Sequence, residues 1–257
     1  MSDIHLRCIS SGSKGNAWLL RVFDTRILLD AGVSGARLKK AIEEFGEIDA
    51  ILLTHAHHDH CHGLEMLRRS FNAPVLATPR TLKTLGIDGS PLALEKTRVF
   101  RDLDILPVRV SHDSNDTVGF RISSTHFSLG FLTDLGVWNE SLASKFERLQ
   151  MLVIEANHDP MLLQSGPYPV HLKRRVSGPL GHLSNQQAAQ FVRRVEHAGL
   201  KDVVLAHLSE TNNTPEHAKK SLNDIGAKLH VASPQGGVDL ERFGSQTAGT
   251  ERQLSFL

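Results

Sequence analysis

Short apolar runs bounded by polar or glycine-rich turns recur along the chain, and between them lie stretches whose apolar residues return every three or four positions. The runs read as strands and the stretches as helices, because side chains repeat every second residue on a strand face and every 3.6 residues around a helix. Strands are expected at Leu6–Ser10, Ala17–Phe23, Arg26–Asp30, Ala50–Thr54, Val75–Ala77, Ile105–Ser111, Thr117–Ser123, His126–Asp134, Met151–Ile154, Asp202–Ala206 and Lys228–Ala232. Helices are expected at Ala36–Phe45, Asp59–Phe71, Pro79–Leu85, Ser141–Leu149, Asn185–Ala198 and Pro215–Ile225. Thr78-Pro79 and Thr214-Pro215 mark two helix starts, a capping hydroxyl followed by proline at the first helical position. No linker is long enough to divide the chain, so an α/β domain is expected over residues 1–243, with two sheets packed face to face and helices outside both. Each half is β-rich, yet no sequence repeat is visible. Residues 244–257, with their Gly, Ser, Gln and Thr, are expected to form a loose tail.

The polar residues that end these strands carry the chemistry. Ala50-Ile51-Leu52-Leu53 runs straight into Thr54-His55-Ala56-His57-His58-Asp59-His60. His55 and His57 are two apart and project to one side of extended chain. Asp59 and His60 open the next helical stretch, which sets Leu64, Leu67 and Phe71 on one face. A single histidine is more often a satisfied structural group than a ligand. Four metal-competent side chains on one strand-to-helix turn are enough to start two adjacent metal sites. Three further groups stand where strands end: His112, Asp134 and His207. Strand ends on one sheet edge are where such folds gather functional groups on a rigid base.

Composition adds limits rather than direction. The formal net charge is +1, so any surface for a polyanion must be local. Only Cys8 and Cys61 occur, far apart in sequence, which suits a reduced cytoplasmic protein. The start, Met1-Ser2-Asp3-Ile4-His5, has no charged segment leading into an apolar one, so no secretory signal is expected. No apolar run approaches the ~20 residues of a spanning helix, and no membrane partner is expected.

Two other segments bear on substrate. Ser10-Ser11-Gly12-Ser13-Lys14-Gly15-Asn16 is a polar turn whose hydroxyls and N–H groups could face a phosphate; as a bare sequence it is equally a plain hairpin loop. The stretch from Glu155-Ala156-Asn157-His158-Asp159 to Gly181-His182-Leu183-Ser184-Asn185 encloses Tyr168-Pro169 and Lys173-Arg174-Arg175. Three consecutive cations are usually a solvated edge, but here they fall beside the candidate site, where a phosphate backbone would meet them. Ser11, Ser13, Asn16, Ser184, Lys173, Arg174 and Arg175 are therefore expected to contact substrate.

This set and order of residues resembles the metallo-β-lactamase superfamily over almost the whole chain. The resemblance implies a four-layer αβ/βα sandwich with two packed mixed sheets. It also implies that Asp30 backs the ligands, that His55, His57 and His112 hold one ion, that Asp59, His60 and His207 hold another, and that Asp134 bridges both. Gly63 fits the superfamily's glycine in the helix turn after the motif. The Ser-Ser-Gly-Ser turn, Glu155-Ala156-Asn157-His158-Asp159, Leu172-Lys173-Arg174-Arg175 and Gly181-His182-Leu183-Ser184-Asn185 are similar to the YycJ/WalJ-like exonuclease branch. That branch implies a bacterial cytoplasmic 5′-to-3′ exonuclease acting on double-stranded DNA, with a role in DNA repair. Asp134-Leu135-Gly136 departs from the more usual Asp-Thr-Gly and removes one hydroxyl. Two divalent ions are implied, zinc or manganese with iron as a third option, since no cysteine ligand is at hand. A water bridging both ions, its pKa lowered, would attack phosphorus. Asp59 would orient that water, and His182 would protonate the leaving oxygen or bind phosphate. Glu155 would orient His182 or His158. The alternatives are an RNA-processing endonuclease of the same fold, a small-molecule hydrolase of glyoxalase, lactonase or cyclic phosphodiesterase type, and a non-catalytic binding scaffold, which the complete ligand set disfavours.

Overall fold

A computed structural model describes residues 3–114 and 116–242; the expected tail lies outside the described residues. The first sheet begins with β1 (Ile4–Ser10), β2 (Ala17–Val22), β3 (Thr25–Leu29), β4 (Ala50–Leu52), β5 (Val75–Ala77) and β6 (Ser90–Pro91). The second takes β7 (Arg98–Phe100), β8 (Leu103–Arg109), β9 (Val118–Ser123), β10 (Ser128–Leu132), β11 (Met151–Glu155), β12 (Asp202–Ala206) and β13 (Lys228–Val231). The chain then returns to lay β14 (Asp239–Arg242) antiparallel against β1. The sheets are ordered β14-β1-β2-β3-β4-β5-β6 and β13-β12-β11-β10-β9-β8-β7. Each is an antiparallel meander that turns parallel, at β3 in one and at β10 in the other. The halves thus repeat in topology although their sequences do not.

Both faces of the central strands are covered, which is why they read as continuous apolar runs. Between the sheets lie Leu6, Trp18, Leu20, Leu29, Phe120, Phe131, Val153 and Val204. Trp18 meets Phe131 edge-on, ring centres 6.0 Å apart. Alternate residues of the first sheet, Leu19, Leu28 and Ile51, pack outward with Leu38, Ile42 and Leu67 from α1 (Gly35–Phe45) and α3 (Leu64–Ser70). On the far side Leu132, Leu152 and Leu205 meet Ala143 of α5 (Glu140–Ser144) together with Ala189, Phe191 and Val192 of α8 (Asn185–Val195). Three apolar layers between four structural ones give the expected αβ/βα sandwich. Among the described residues no helix is long and apolar enough to cross a membrane.

Several elements differ from expectation. The helix expected over Asp59–Phe71 is two, α2 (His58–Cys61) and α3, separated at Gly63. A Cβ on Gly63 would lie 2.3 Å from the Val33 carbonyl oxygen, and one on Gly32 would lie 1.6 Å from that of Asp59. Two glycines thus let the ligand turn press against the loop after β3. Both Thr-Pro helix starts form: Thr78 caps α4 (Pro79–Leu85) and Thr214 caps α9 (Pro215–Lys220), each accepting from a backbone N–H two residues into the helix. The stretch from Glu155 to Asn185 contains α6 (Pro160–Ser165), capped by Asp159, and α7 (Val170–Val176), neither of which the periodicity suggested.

Asp202, at the start of β12, ties the sheets together. It is 1% exposed, accepts from His230 of β13 at 2.9 Å, and takes both Nε (2.8 Å) and Nη2 (2.6 Å) of Arg242 from β14. Burial pushes its carboxyl up, but His230 and Arg242 outweigh this and hold it at about 2. A carboxyl held below its unfolded value stabilises the fold above that value and loses the contribution as pH falls toward its folded pKa. Asp202→Asn is expected to lose roughly 1–2 kcal/mol at neutral pH, a fall of roughly 2–8 °C in Tm. Urea titrations of parent and variant should converge as pH drops from 3.8 toward about 2; a gap that stays constant over that window would show that the ion pair is not its source.

Candidate metal centre

The parallel strands of both sheets end at one edge, and every candidate group follows from them or from β8. Asp30 follows β3, the His55–His60 turn follows β4, His112 lies beyond β8, Asp134 follows β10, Glu155 ends β11 and His207 follows β12. Asp30, Asp134 and His207 have positive φ, +58°, +55° and +54°. Non-glycine residues held there cost on the order of 1–3 kcal/mol each, a strain that gathers at functional sites.

Donor atoms converge in overlapping groups, each within 4.8 Å: His55, His57 and His112; Asp59, His60 and His207; and His55, His60 and Asp134. Asp134 stands between the first two. One of its oxygens is 3.0 Å from His60 Nε2; the other is 3.7 Å from His112 Nε2 and 3.6 Å from His207 Nδ1. Asp59 Oδ2 is 3.5 Å from His60 Nε2 and 3.9 Å from His207 Nε2. Tetrahedral ligands at ~2.0–2.1 Å from one zinc sit about 3.3 Å apart, so these spacings suit shared cations. The buried Nε2 of His55 and of His207 have no hydrogen-bond partner, which in a structural histidine would be costly. The donor set fits divalent metal.

Three of the imidazoles are aimed by their other nitrogen. His60 Nδ1–H donates to Asp30 at 2.8 Å, while Asp30 also accepts from the Thr54 N–H and hydroxyl. Thr54 Oγ1 is 2.9 Å from His55 Nδ1, and His112 Nδ1–H donates to the Gly181 carbonyl at 3.1 Å. Asp30 thus lies behind His55 and His60, joined to His60 directly and to His55 through Thr54. Burial disfavours charge throughout the cluster. It and neighbouring His60 hold His55 well below its ordinary value, whereas Asp134 and Asp30 overcome it for His60 and raise that group well above. His207 is raised to about 10, burial being outweighed first by Asp134 and then by Asp59 and Glu155.

Glu155 orients His182, not His158. Its Oε1 is 2.8 Å from His182 Nδ1 and its Oε2 accepts the Leu135 N–H at 2.8 Å. His158 is buried beneath, bridged through backbone to Ser184, with burial pushing it down to about 4. Leu135, standing in place of the expected hydroxyl, is buried in the outer core. Asp134, Glu155, His182 and His207 also form a donor group, a combination the strand-end reasoning did not make.

A cavity of about 260 Å³ opens over these groups, with His57, Asp59, His112, Asp134, His182 and His207 among its lining. The residues expected to contact substrate divide. Ser13 and Arg175 line the cavity. Ser11, fully buried, instead accepts the His207 N–H at 2.8 Å. Asn16, also fully buried, pins the glycine turn through Gly12 and lies 3.1 Å from His60 Nε2. Ser184 is consumed as the α8 N-cap, in a capping box with Gln187. Burial therefore corrects these three from substrate contacts to supports. On α7 the three cations point apart: Lys173 Nζ donates to the Gln164 carbonyl at 2.6 Å, Arg174 is exposed outside the cavity lining, and only Arg175 turns inward. His58 and His62 stack on each other outside, ring centres 4.5 Å apart.

Sequence reasoning did not reach Asp113, Asn157, Tyr168 or Ser209. Asp113 Oδ1 is 3.3 Å from His112 Nε2 and 3.6 Å from His57 Nε2, and its Oδ2 accepts from Arg175. Asn157 Nδ2 donates to the His207 carbonyl and lines the cavity beside Tyr168 and Ser209. Nearness in sequence to His112, His158 and His207 was a signal for Asp113, Asn157 and Ser209, and Tyr168 had none of that kind.

Comparison with known proteins agrees with this geometry. The model of the beta-lactamase superfamily domain matches residues 25–208. The chain is 35% identical to exodeoxyribonuclease WalJ of Streptococcus pneumoniae, over 95% of each chain. It is 30% identical to exodeoxyribonuclease YycJ of Bacillus anthracis, over 86% of this chain and 89% of that one. Its fold matches the metallo-β-lactamase fold protein YhfI of Bacillus subtilis with a TM-score of 0.73 at 16% identity, covering 94% of this chain and all of the other. From the matched domain, the relatives and the converged donors it follows that the chain belongs to the metallo-β-lactamase superfamily, in its YycJ/WalJ-like branch, and is a metal-dependent hydrolase.

Proposed function

We propose that the protein is a phosphodiesterase that shortens double-stranded DNA from the 5′ end, in the service of DNA repair, with two divalent ions at the site. The observation that carries this reading is the pair of donor triads with Asp134 between them, beneath a cavity that an arginine also lines. The names of the relatives at 35% and 30% identity support the DNA substrate. Ions held there supply a nucleophilic water of lowered pKa and neutralise charge on the phosphoryl oxygens. The chain's own groups do the rest. His55, His57, His112 and Asp134 hold one position, and Asp59, His60, His207 and Asp134 the other. Asp59, partly exposed in the cavity, orients the attacking water. His182 spends Nδ1 on Glu155 and has Nε2 left to donate a proton to the leaving oxygen. Arg175 meets a non-reacting phosphate.

The deciding assay compares end-labelled duplex DNA, structured RNA, a thioester and a lactone, each with zinc, manganese or chelator. Metal-dependent release of label from the 5′ end of DNA, faster than from the other substrates, is expected. Faster thioester or lactone hydrolysis would replace the reading with a small-molecule hydrolase, and preferred cleavage of RNA with a processing nuclease. Because only Arg175 of the basic run faces the cavity, Arg175→Ala alone should reduce the slope of log affinity against log salt by about 0.9. An unchanged slope would take Arg175 off the path of the backbone.

A further inference from the structure

One wall of the cavity, Arg175 aside, has no part in the reaction described above. To its lining α7 and the turn before it contribute Tyr168, Leu172 and Val176, with Arg175 between the last two. Tyr168 is the chain's one tyrosine. Among the described residues it is also the one six-membered ring in the cavity lining, and it is half-buried. Arg175 commits Nε and Nη2 to one oxygen of Asp113, at 2.9 and 2.7 Å. That leaves Nη1, which makes no hydrogen bond among the described residues, in a guanidinium already fixed in orientation. An aromatic ring and a braced guanidinium, on α7 and the turn before it, line one cavity with the donor cluster, a set that matches base, phosphate and scissile bond of a single nucleotide.

We propose that Tyr168 is the stacking platform for the nucleobase of the terminal nucleotide, with Arg175 on its adjoining phosphate, so that the α6–α7 segment forms a one-nucleotide subsite. This rests on the DNA reading above and names which part of the strand the cavity takes. A volume of about 260 Å³ accommodates one such unit and not a run of paired bases. The subsite recognises a π face rather than hydrogen-bonding edges, so it discriminates a base from no base and is indifferent to which base is present.

The test uses the intact protein and two duplexes that differ only at the cleaved end, one with a normal terminal nucleotide and one with an abasic analogue. The parent is expected to prefer the normal end in kcat/KM by roughly 5- to 150-fold, the range that base–aromatic stacking supports. Tyr168→Phe should keep that ratio, since the ring face remains, and Tyr168→Ala should collapse it toward one. Equal rates for the parent on both ends overturn the subsite and leave the DNA reading standing; the comparison needs no variant to fold. A full preference retained in Tyr168→Ala overturns the role of Tyr168. A parent that cleaves neither duplex overturns both.

Discussion

Asp134→Ala is expected to abolish turnover and to lower occupancy of both ions together. Its carboxylate lies within 3.0–3.7 Å of nitrogens from His112 in one triad and from His60 and His207 in the other. No other carboxylate in the cluster touches both. Burial opposes charge on Asp134, yet His207 and His60 hold it well below the usual carboxylate range, so the group is poised as an anion. Removing it leaves buried imidazoles facing one another and takes away the carboxylate that would hold both ions of the proposed pair. The loss should exceed the ~10–100-fold typical of residues that only support a ligand. Metal analysis of the purified variant beside its activity decides the matter. Two tightly bound ions per chain with normal turnover would mean that Asp134 does not bridge.

His182→Ala is expected to keep its metal and to slow cleavage by roughly 10²- to 10⁴-fold, the range of a general acid. The defect should shrink for an aryl phosphodiester whose leaving group needs no proton. Glu155→Gln should act in the same direction, because the 2.8 Å contact from Glu155 both orients His182 and raises its affinity for a proton against the effect of burial. A uniform loss across leaving groups would make His182 a phosphate contact. Loss of metal would make it a ligand, as its place in the donor group with Asp134, Glu155 and His207 permits.

The candidate ligands were legible because each closes an apolar run, and a strand that ends in a metal-competent side chain announces itself. The layered fold followed from the same runs. Edge elements were not legible: β7 (Arg98–Phe100) and β14 (Asp239–Arg242) have no apolar alternation, since neither strand has a fully buried residue. Nor could the division of Ser11, Ser13 and Asn16 be foreseen. Neighbours in one turn, they separate only when the turn folds over the loop holding His207. The same limit governs Lys173, Arg174 and Arg175, where a loop would present three charges alike and a helix turns each by about 100°. The positive φ of Asp30, Asp134 and His207 leaves no trace in composition at all.

The return of β14 to β1 has a consequence for how the molecule is made. On the ribosome the first sheet emerges with the free edge of β1 bare, and its partner is more than two hundred residues behind it. Bare edges pair readily with other strands, and contacts of this sequence separation close slowly. His207 and Asp202 also arrive late, one completing the second donor triad and the other anchoring Arg242. Synthesis order thus holds back the last strand of the first sheet, the strap between sheets and the final histidine until the same closing stretch of translation. A nascent chain arrested before that stretch can present neither a finished sheet nor a complete pair of triads.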